Sequence, residues 1–251
     1  MTCTSLGVDT PKSFVVSALM ARTEWTWLAT MEMEDTAVAV AVAVAVVVVV
    51  VTATAMASPM TMVGDAEADP AFYIHKPNDL RPFYTLATEG MSYFAMDVIP
   101  EVGPVEVRRE LERVEFMMYL PHDWVPAGHL GDELNESNWP FYAMRALCSW
   151  ISQTRTWIGE GHTVPMYLDG TPAVPGSQLT HMLFLPPVLF EHPEFAFCKV
   201  DDQLSFNMLV IVPITKPEWE LKRSGGLDAL VPLLESGEIP TVVDIHRSSA
   251  V

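Results

Sequence analysis

The pattern of apolar and polar positions divides the chain near Asp69. Before that residue, positions 37–51 contain only alanine and valine, and uncharged residues continue through Ala57. Such a run is low in complexity and lacks the mixed pattern of a folded domain. Beyond Asp69, aromatic, apolar and polar residues are spread evenly. We therefore predict a low-complexity N-terminal segment over residues 1–69 and one folded domain over residues 70–251.

Short runs of β-branched, aromatic and large apolar residues predict the strands of this domain. Several of these runs are bounded by Pro, Gly or Asp, which interrupt regular structure. The predicted strands are Phe83 to Thr88, Val114 to Leu120, Thr163 to Tyr167, Thr180 to Leu185, Phe195 to Val200, Leu204 to Ile214 and, closing the chain, Thr241 to Ile245.

Three helices are predicted by periodicity and by capping residues. Apolar residues at helical spacing predict the first, from about Trp139 to Arg155, and Asn138 before it favours an N-cap. Thr215 and Glu218 have the spacing of a capping box, so a second helix is predicted to begin there. It ends at about position 225, and a third helix over positions 227–234 is limited by a proline at position 232.

The order of these elements indicates the fold class. Strands, a helix, several strands, two helices and a final strand follow one another without the regular alternation of a parallel sheet. We predict an α+β fold in which a mixed, largely antiparallel sheet is covered by helices.

The charge of the chain narrows the choice of partners. There are 14 Lys and Arg against 32 Asp and Glu, which gives a formal net charge of −18. Because this field repels phosphates, we expect no nucleic-acid partner. The field favours encounter with a basic protein, although acidic surfaces are also common in soluble proteins that have no such partner.

The three cysteines, Cys3, Cys148 and Cys198, indicate neither a disulfide framework nor a zinc site. They are odd in number, far apart in sequence and form no Cys-x-x-Cys pair. A reducing compartment is therefore expected, and we predict a cytoplasmic location.

The uncharged run from Ala37 to Ala57 has several incompatible interpretations. As a helix, its 21 residues would span about 31 Å, close to the hydrocarbon thickness of a bilayer, and would tether the domain to a membrane. Its acidic flanks, without a nearby Lys or Arg, argue against this and against a signal peptide. The other interpretations are packing of the run into the domain and a start codon assigned too early, with Met60 or Met62 as the true first residue.

Six stretches of the domain occur together and in a fixed order. They are RPFYTLATEGMSYFAM at 81–96, VEFMMYLPHDW at 114–124, NWPFYAMRALCSWISQTRTWIGEGHTVP at 138–165, QLTHMLFLPP at 178–187, LSFNMLVIVPITKPEWELKRSGGLDALVPLL at 204–234 and VVDIHR at 242–247. Over about 180 residues these stretches resemble the suppressor of fused family. The resemblance implies a suppressor-of-fused-like α+β domain that binds another protein.

The resemblance also suggests which kind of member this is. The animal member has a second, C-terminal domain and clasps a peptide of zinc-finger transcription factors. Because this chain ends at Val251, we expect it to correspond to the compact single-domain bacterial members. Several of those are associated with toxin systems as immunity proteins, which makes a basic toxin a candidate partner.

The motif residues are the candidates for partner binding. An exposed tryptophan among them would be a candidate hot spot, since tryptophan contributes strongly to binding energy. Asp244 and Arg247 are expected to form an ion pair that fixes the last strand. The candidates are Tyr84, Gly90, Met91, Ser92, Trp124, Trp139, Gly161, His162, His181, Asp244 and Arg247.

Enzymatic chemistry is the alternative class of function. His162 and His181 would serve as bases in a hydrolase or metalloenzyme, but no nucleophile stands beside either and no phosphate loop occurs. A second cluster of possible metal ligands is interpreted as a solvated acidic loop. We therefore expect no catalytic, cofactor or metal site. The residues of that loop are His122, Asp123, His129, Asp132 and Glu133.

Overall fold

The computed structural model describes residues 70–126, 134–167, 169–187, 193–201 and 204–251. The N-terminal segment, including Ala37 to Ala57, lies outside these ranges, as do His129, Asp132 and Glu133 of the acidic loop. No helix within the described ranges is long and apolar enough to cross a membrane.

Seven strands form one mixed sheet, which confirms the predicted fold class. The neighbour order is β1, β2, β3, β7, β5, β4, and β6 also pairs with β7. All pairs are antiparallel except β3 with β7. The strands are β1 (Ala71–His75), β2 (Phe83–Glu89), β3 (Val114–Pro121), β4 (Thr163–Pro165), β5 (Leu179–Leu185), β6 (Phe197–Lys199) and β7 (Ser205–Thr215).

Four α-helices accompany the sheet in the described residues. They are α1 (Val105–Leu111), α2 (Trp139–Thr154), α3 (Lys216–Gly225) and α4 (Val231–Ser236). Helix α3 begins with the predicted capping box between Thr215 and Glu218. The proline at position 232 falls in the first turn of α4, so the chain before it forms only a short 3-10 turn, Leu227–Ala229.

Both faces of the central strands are covered, because successive side chains of a strand point to opposite sides. On one face, Phe116 and Met118 of β3 pack in a cluster with Met144 and Ile151 of α2. On the other face, Tyr119 belongs to a second cluster with residues of β7, α4 and the segment after α4. Helices therefore lie on both sides of the sheet, with α2 opposite α3 and α4.

Several local predictions need correction. Thr241 to Ile245 is not a strand: Val242 makes one isolated bridge to Tyr119, and the chain then turns. The predicted strand Phe195 to Val200 begins with a 3-10 turn, so only β6 remains extended. The Asn138 side chain does not cap α2 and instead accepts a hydrogen bond from the Asn135 N–H at 2.8 Å. Strand β1 and helix α1 were not predicted.

Candidate partner-binding surface

The Gly90-Met91-Ser92 motif is a turn held by a buried carboxylate of β3. Glu115 accepts hydrogen bonds from the backbone N–H groups of Gly90 and Ser92 at 2.9 and 2.8 Å. It also accepts one from the Thr88 hydroxyl at 2.6 Å. Burial raises the pKa of Glu115, and these bonds oppose the rise because they favour the ionised form. Since Met91 and Ser92 are buried, the motif has a structural role.

Tyr84 and Trp124 belong to an aromatic cluster beside the start of α2. The Trp124 ring lies edge-on to Tyr84 and close to Phe141, with ring centres 5.6 and 5.8 Å apart. The Trp124 indole N–H donates to the carbonyl of Glu136 at 3.1 Å. Trp124 and Trp139 are only 8% and 2% exposed. Neither tryptophan is therefore available as a hot spot on the surface of this domain.

Arg247 lies at the centre of a buried ionic contact with α3. Its terminal nitrogens lie 2.5 and 2.7 Å from the two carboxylate oxygens of Glu218. Glu218 also accepts the backbone N–H groups of Thr215 at 2.8 Å and Ala250 at 2.9 Å. Burial alone would raise the pKa of Glu218, but these bonds outweigh it, so the pKa is lowered.

The predicted ion pair between Asp244 and Arg247 is therefore wrong. Asp244 is exposed, and its carboxylate accepts a hydrogen bond from the backbone N–H of His246 at 3.0 Å. Arg247 instead turns inward, because a buried carboxylate is a better partner for its planar guanidinium than an exposed one.

His162 lies at the start of the edge strand β4. The Gly161 N–H donates to the carbonyl of Phe184, and the Phe184 N–H donates to that of His162, so the pairing with β5 extends past β4 itself. The His162 ring lies edge-on to Trp157, with centres 4.6 Å apart, and its Nδ1 accepts the Gly159 N–H at 3.3 Å. The pKa of His162 is lowered, mainly by burial and to a lesser extent by the charge of Lys222.

His181 lies in β5 and stacks on helix α3. Its ring is 4.6 Å from that of Trp219, and the two planes differ by 11°. The Arg223 guanidinium carbon lies 5.1 Å from the centre of the Trp219 ring, within the range of a cation–π interaction. Burial and the charge of Lys216 lower the pKa of His181, and Glu220 opposes them. The lowered pKa favours the neutral form of the imidazole in this stack.

These contacts define one accessible surface, which we call the α3 surface. It consists of His181, Trp219, Lys222 and Arg223, and each of them except the exposed Arg223 is half-buried. The three helical residues share one side of α3, because residues three and four apart are neighbours on a helix. Tryptophan and arginine are enriched among the residues that contribute most to protein interfaces, so this surface is the candidate for partner binding.

The two histidines lie in separate local environments. Each imidazole is packed against a different tryptophan, and the His181 Nδ1 lies 2.9 Å from the hydroxyl of the adjacent Thr180. Within the part of the chain that the structure describes, no three His, Cys, Asp or Glu side chains come together as a metal site.

Two residues with central roles were missed by sequence reasoning. Glu115 and Glu218 are 4% and 0% exposed, and each organises several backbone groups. Glu115 had a visible signal, because it is the only charged residue in the apolar run from Val114 to Leu120. Glu218 was recognised for its capping role alone, since nothing in sequence showed which cation would reach it.

The chain is an α+β domain whose residues 67–248 match the family model described as Suppressor of fused protein (SUFU). It therefore belongs to the suppressor of fused family. No curated protein matched the chain in sequence.

A solved structure agrees with this fold. A crystal structure of the Sufu-Fu complex aligns with a TM-score of 0.50 at 15% identity, covering 81% of this chain and 89% of that one. A crystal structure of Drosophila Suppressor of Fused aligns with a TM-score of 0.48 at 14% identity, covering 74% of this chain and 43% of that one.

Proposed function

We propose that this domain is a non-enzymatic binding protein that captures a basic protein partner and, as an immunity protein, neutralises a toxin. Membership of the suppressor of fused family carries the proposal. It is supported by the structure of Sufu in complex with Fu, in which a chain of similar fold has a protein partner. The immunity role rests on the resemblance to the single-domain bacterial members.

The contact is proposed to centre on the α3 surface. The Trp219 ring is held between neighbours before any partner arrives, because His181 stacks on it and Arg223 lies near it. A ring already fixed in place loses little conformational freedom on binding, so more of its contact energy appears as affinity. The edge strand β4 pairs with β5 on one side, with Pro165 opposite His181, the residue that stacks on Trp219.

The net charge supports a basic partner. A chain with a formal charge of −18 attracts a cationic protein over several ångströms and raises the rate of encounter. Exposed carboxylates also lie on α3 and in the turn that follows it, among them Glu220 and Asp228. Lys222 and Arg223 on α3 lie beside Trp219. Their positive charges disfavour any basic protein that would place a cation next to them.

The first experiment is capture of the partner from the native host with the tagged full chain. We expect one basic protein in stoichiometric amount, which is lost as the salt concentration rises because exposed charges are screened. Capture is expected to fail with Trp219→Ala and to persist with Trp150→Ala. The control replaces a half-buried tryptophan on α2, on the opposite face of the sheet.

Two results would overturn parts of this proposal. Equal capture by both tryptophan variants, with folding verified by circular dichroism, would exclude the α3 surface as the contact. Unchanged association rates after Glu220→Lys and Asp228→Lys together would exclude electrostatic steering. The immunity role is tested by co-expression: the captured protein alone is expected to arrest growth, and this chain is expected to restore it.

A further inference from the structure

A cavity of about 260 Å³ opens on the face of the sheet opposite the α3 surface. It lies between the segment after the Gly90 turn and the C-terminal end of α2. Its volume is below that of a typical drug-sized site, so it has room for a single group of about amino-acid size.

The apolar part of the cavity comes from both segments. Met96 and Ile151, which are 4% and 1% exposed, belong to the core on this side of the sheet. Phe94 packs against the same core, and the Tyr93 side chain is 52% exposed. A ligand would therefore meet buried apolar groups and an accessible aromatic ring.

The polar lining of the cavity includes two arginines, Arg113 and Arg155. One terminal nitrogen of Arg113 donates to the carbonyl of Ser92 at 2.8 Å, and its Nε lies 3.6 Å from Glu112. Arg155 contacts Asp97 through Nε at 3.3 Å, and the two side chains are 58% and 72% exposed. Such an exposed pair contributes little energy, so it does not prevent Arg155 from binding a further anion.

The backbone of Arg155 is fixed on both sides. Its backbone N–H donates a hydrogen bond to the carbonyl of Ile151 in the last turn of α2. Its carbonyl accepts a hydrogen bond from the backbone N–H of Asp97. Arg155 also adopts a positive φ of 54°, which is uncommon for a residue other than glycine. The base of this side chain is therefore held at the cavity.

We propose that this cavity binds a carboxylate carried on an apolar body, with Arg155 and Arg113 as its cationic wall. A guanidinium presents parallel N–H donors that match the two oxygens of a carboxylate. The neighbouring carboxylates of Asp97 and Glu112, together with the net charge of −18, oppose a dianion such as phosphate more than a monoanion. The inference is independent of the proposed function.

The carboxylate can come from a chain terminus or from an acidic side chain, and the probes separate these sources. N-acetyl-phenylalanine supplies a terminal carboxylate with an aromatic body, and N-acetyl-aspartate N-methylamide supplies a side-chain carboxylate. N-acetyl-phenylalanine amide keeps the aromatic body and lacks the charge. We expect saturable binding of at least one acid by the full chain, with shifts of the Arg155 and Arg113 Nε–H signals in NMR spectra, and no binding of the amide.

Variants test the role of the arginine directly. Arg155→Ala is expected to weaken acid binding about tenfold or more, and Arg155→Lys to recover part of it because the charge returns without the two-pronged geometry. Arg109→Ala on α1 removes one cation elsewhere and is expected to leave binding unchanged. Equal binding of acid and amide, or the absence of Arg155 and Arg113 shifts with both acids, would overturn the proposal without relying on any variant.

Discussion

Arg247 lies 29 residues beyond Glu218 in sequence, yet its guanidinium meets both oxygens of that buried carboxylate. The same arginine donates to the carbonyl of Pro213 at the end of β7. Ser249 lies 2.9 Å from the Thr215 hydroxyl. One charged contact therefore attaches the last residues of the chain to the junction between the central strand and α3.

Replacing Arg247 with methionine is expected to destabilise the domain strongly. The change leaves Glu218 buried without its cation, and breaking a buried pair on one side costs about 3–5 kcal/mol. Urea denaturation of the full chain measures the effect. The double variant Glu218→Gln, Arg247→Met is expected to recover part of the loss, because no uncompensated charge remains. A loss below about 1 kcal/mol for the single variant would contradict a buried role for the pair.

The stability contribution of Glu115 is expected to decrease as pH rises. Because burial raises its pKa in the folded state, the folded protein keeps this proton to a higher pH than the unfolded chain does. Its contribution is full below the unfolded pKa, about 4.3, and is lost as pH rises through the folded pKa. The Glu115→Gln variant has no titratable group at this position, so this pH dependence is absent from it.

Urea denaturation across a pH series, comparing the two proteins, measures this difference. The advantage of the wild-type protein over Glu115→Gln should shrink as pH rises above about 4. Because the pKa of Glu218 is lowered in the folded state, its contribution to stability is lost at low pH. This loss is the same in both proteins and cancels in their difference. An advantage that is constant or grows with pH would show that the hydrogen bonds to Glu115 outweigh its burial.

Alanine at Gly90 and at Gly161 should separate backbone strain from crowding. Both glycines have positive φ, 107° and 74°, so alanine at either position costs about 1–3 kcal/mol in backbone strain. A Cβ at Gly90 would meet nothing within 4 Å, whereas one at Gly161 would lie 3.3 Å from the Leu227 side chain. We expect Gly161→Ala to be the more destabilising of the two in thermal or urea unfolding. The reverse order would show that the φ of 107° at Gly90, which lies further from the left-handed region, costs more than the contact with Leu227 at Gly161.

The two described cysteines should differ in reactivity. Burial raises the pKa of Cys198 to about 11, and it raises that of the fully buried Cys148 further. In a Cys3→Ser variant at pH 8, iodoacetamide should therefore label Cys198 slowly and Cys148 only after unfolding, because the thiolate is the reacting form. Mass spectrometry of the labelled peptides measures the order. Rapid labelling of Cys148 in the native protein would show that its side of the core opens locally.

Much of the sheet was predictable because its central strands are marked by local signals. The runs over Val114 to Leu120 and Leu204 to Ile214 match β3 and β7 within a residue or two, and the capping box marked the start of α3. Strand β1 was missed because its five residues include a histidine and only part of the strand is buried. The order of strands was not predictable, since sequence alone does not show that β7 inserts between β3 and β5.

The closing segment shows why local pattern was insufficient. Thr241 to Ile245 has the composition of a strand, but β3 is already paired with β2 over Met117 to Pro121. The segment finds only a short stretch of β3, where the Val243 N–H donates to the carbonyl of Tyr119. The candidate site was foreseen less well, because the stacking of His181 on Trp219 depends on where α3 packs.

The parallel pairing of β3 with β7 has a consequence for synthesis on the ribosome. Val114 pairs with Asn207, which is synthesised much later. Since translation adds about 5–20 residues per second, roughly 5 to 20 seconds separate the synthesis of the two residues. During that interval β3 is a strand with two apolar faces and one open edge. The nascent chain is therefore vulnerable to association with other chains, and a chaperone that shields β3 until β7 emerges should raise the yield of folded protein.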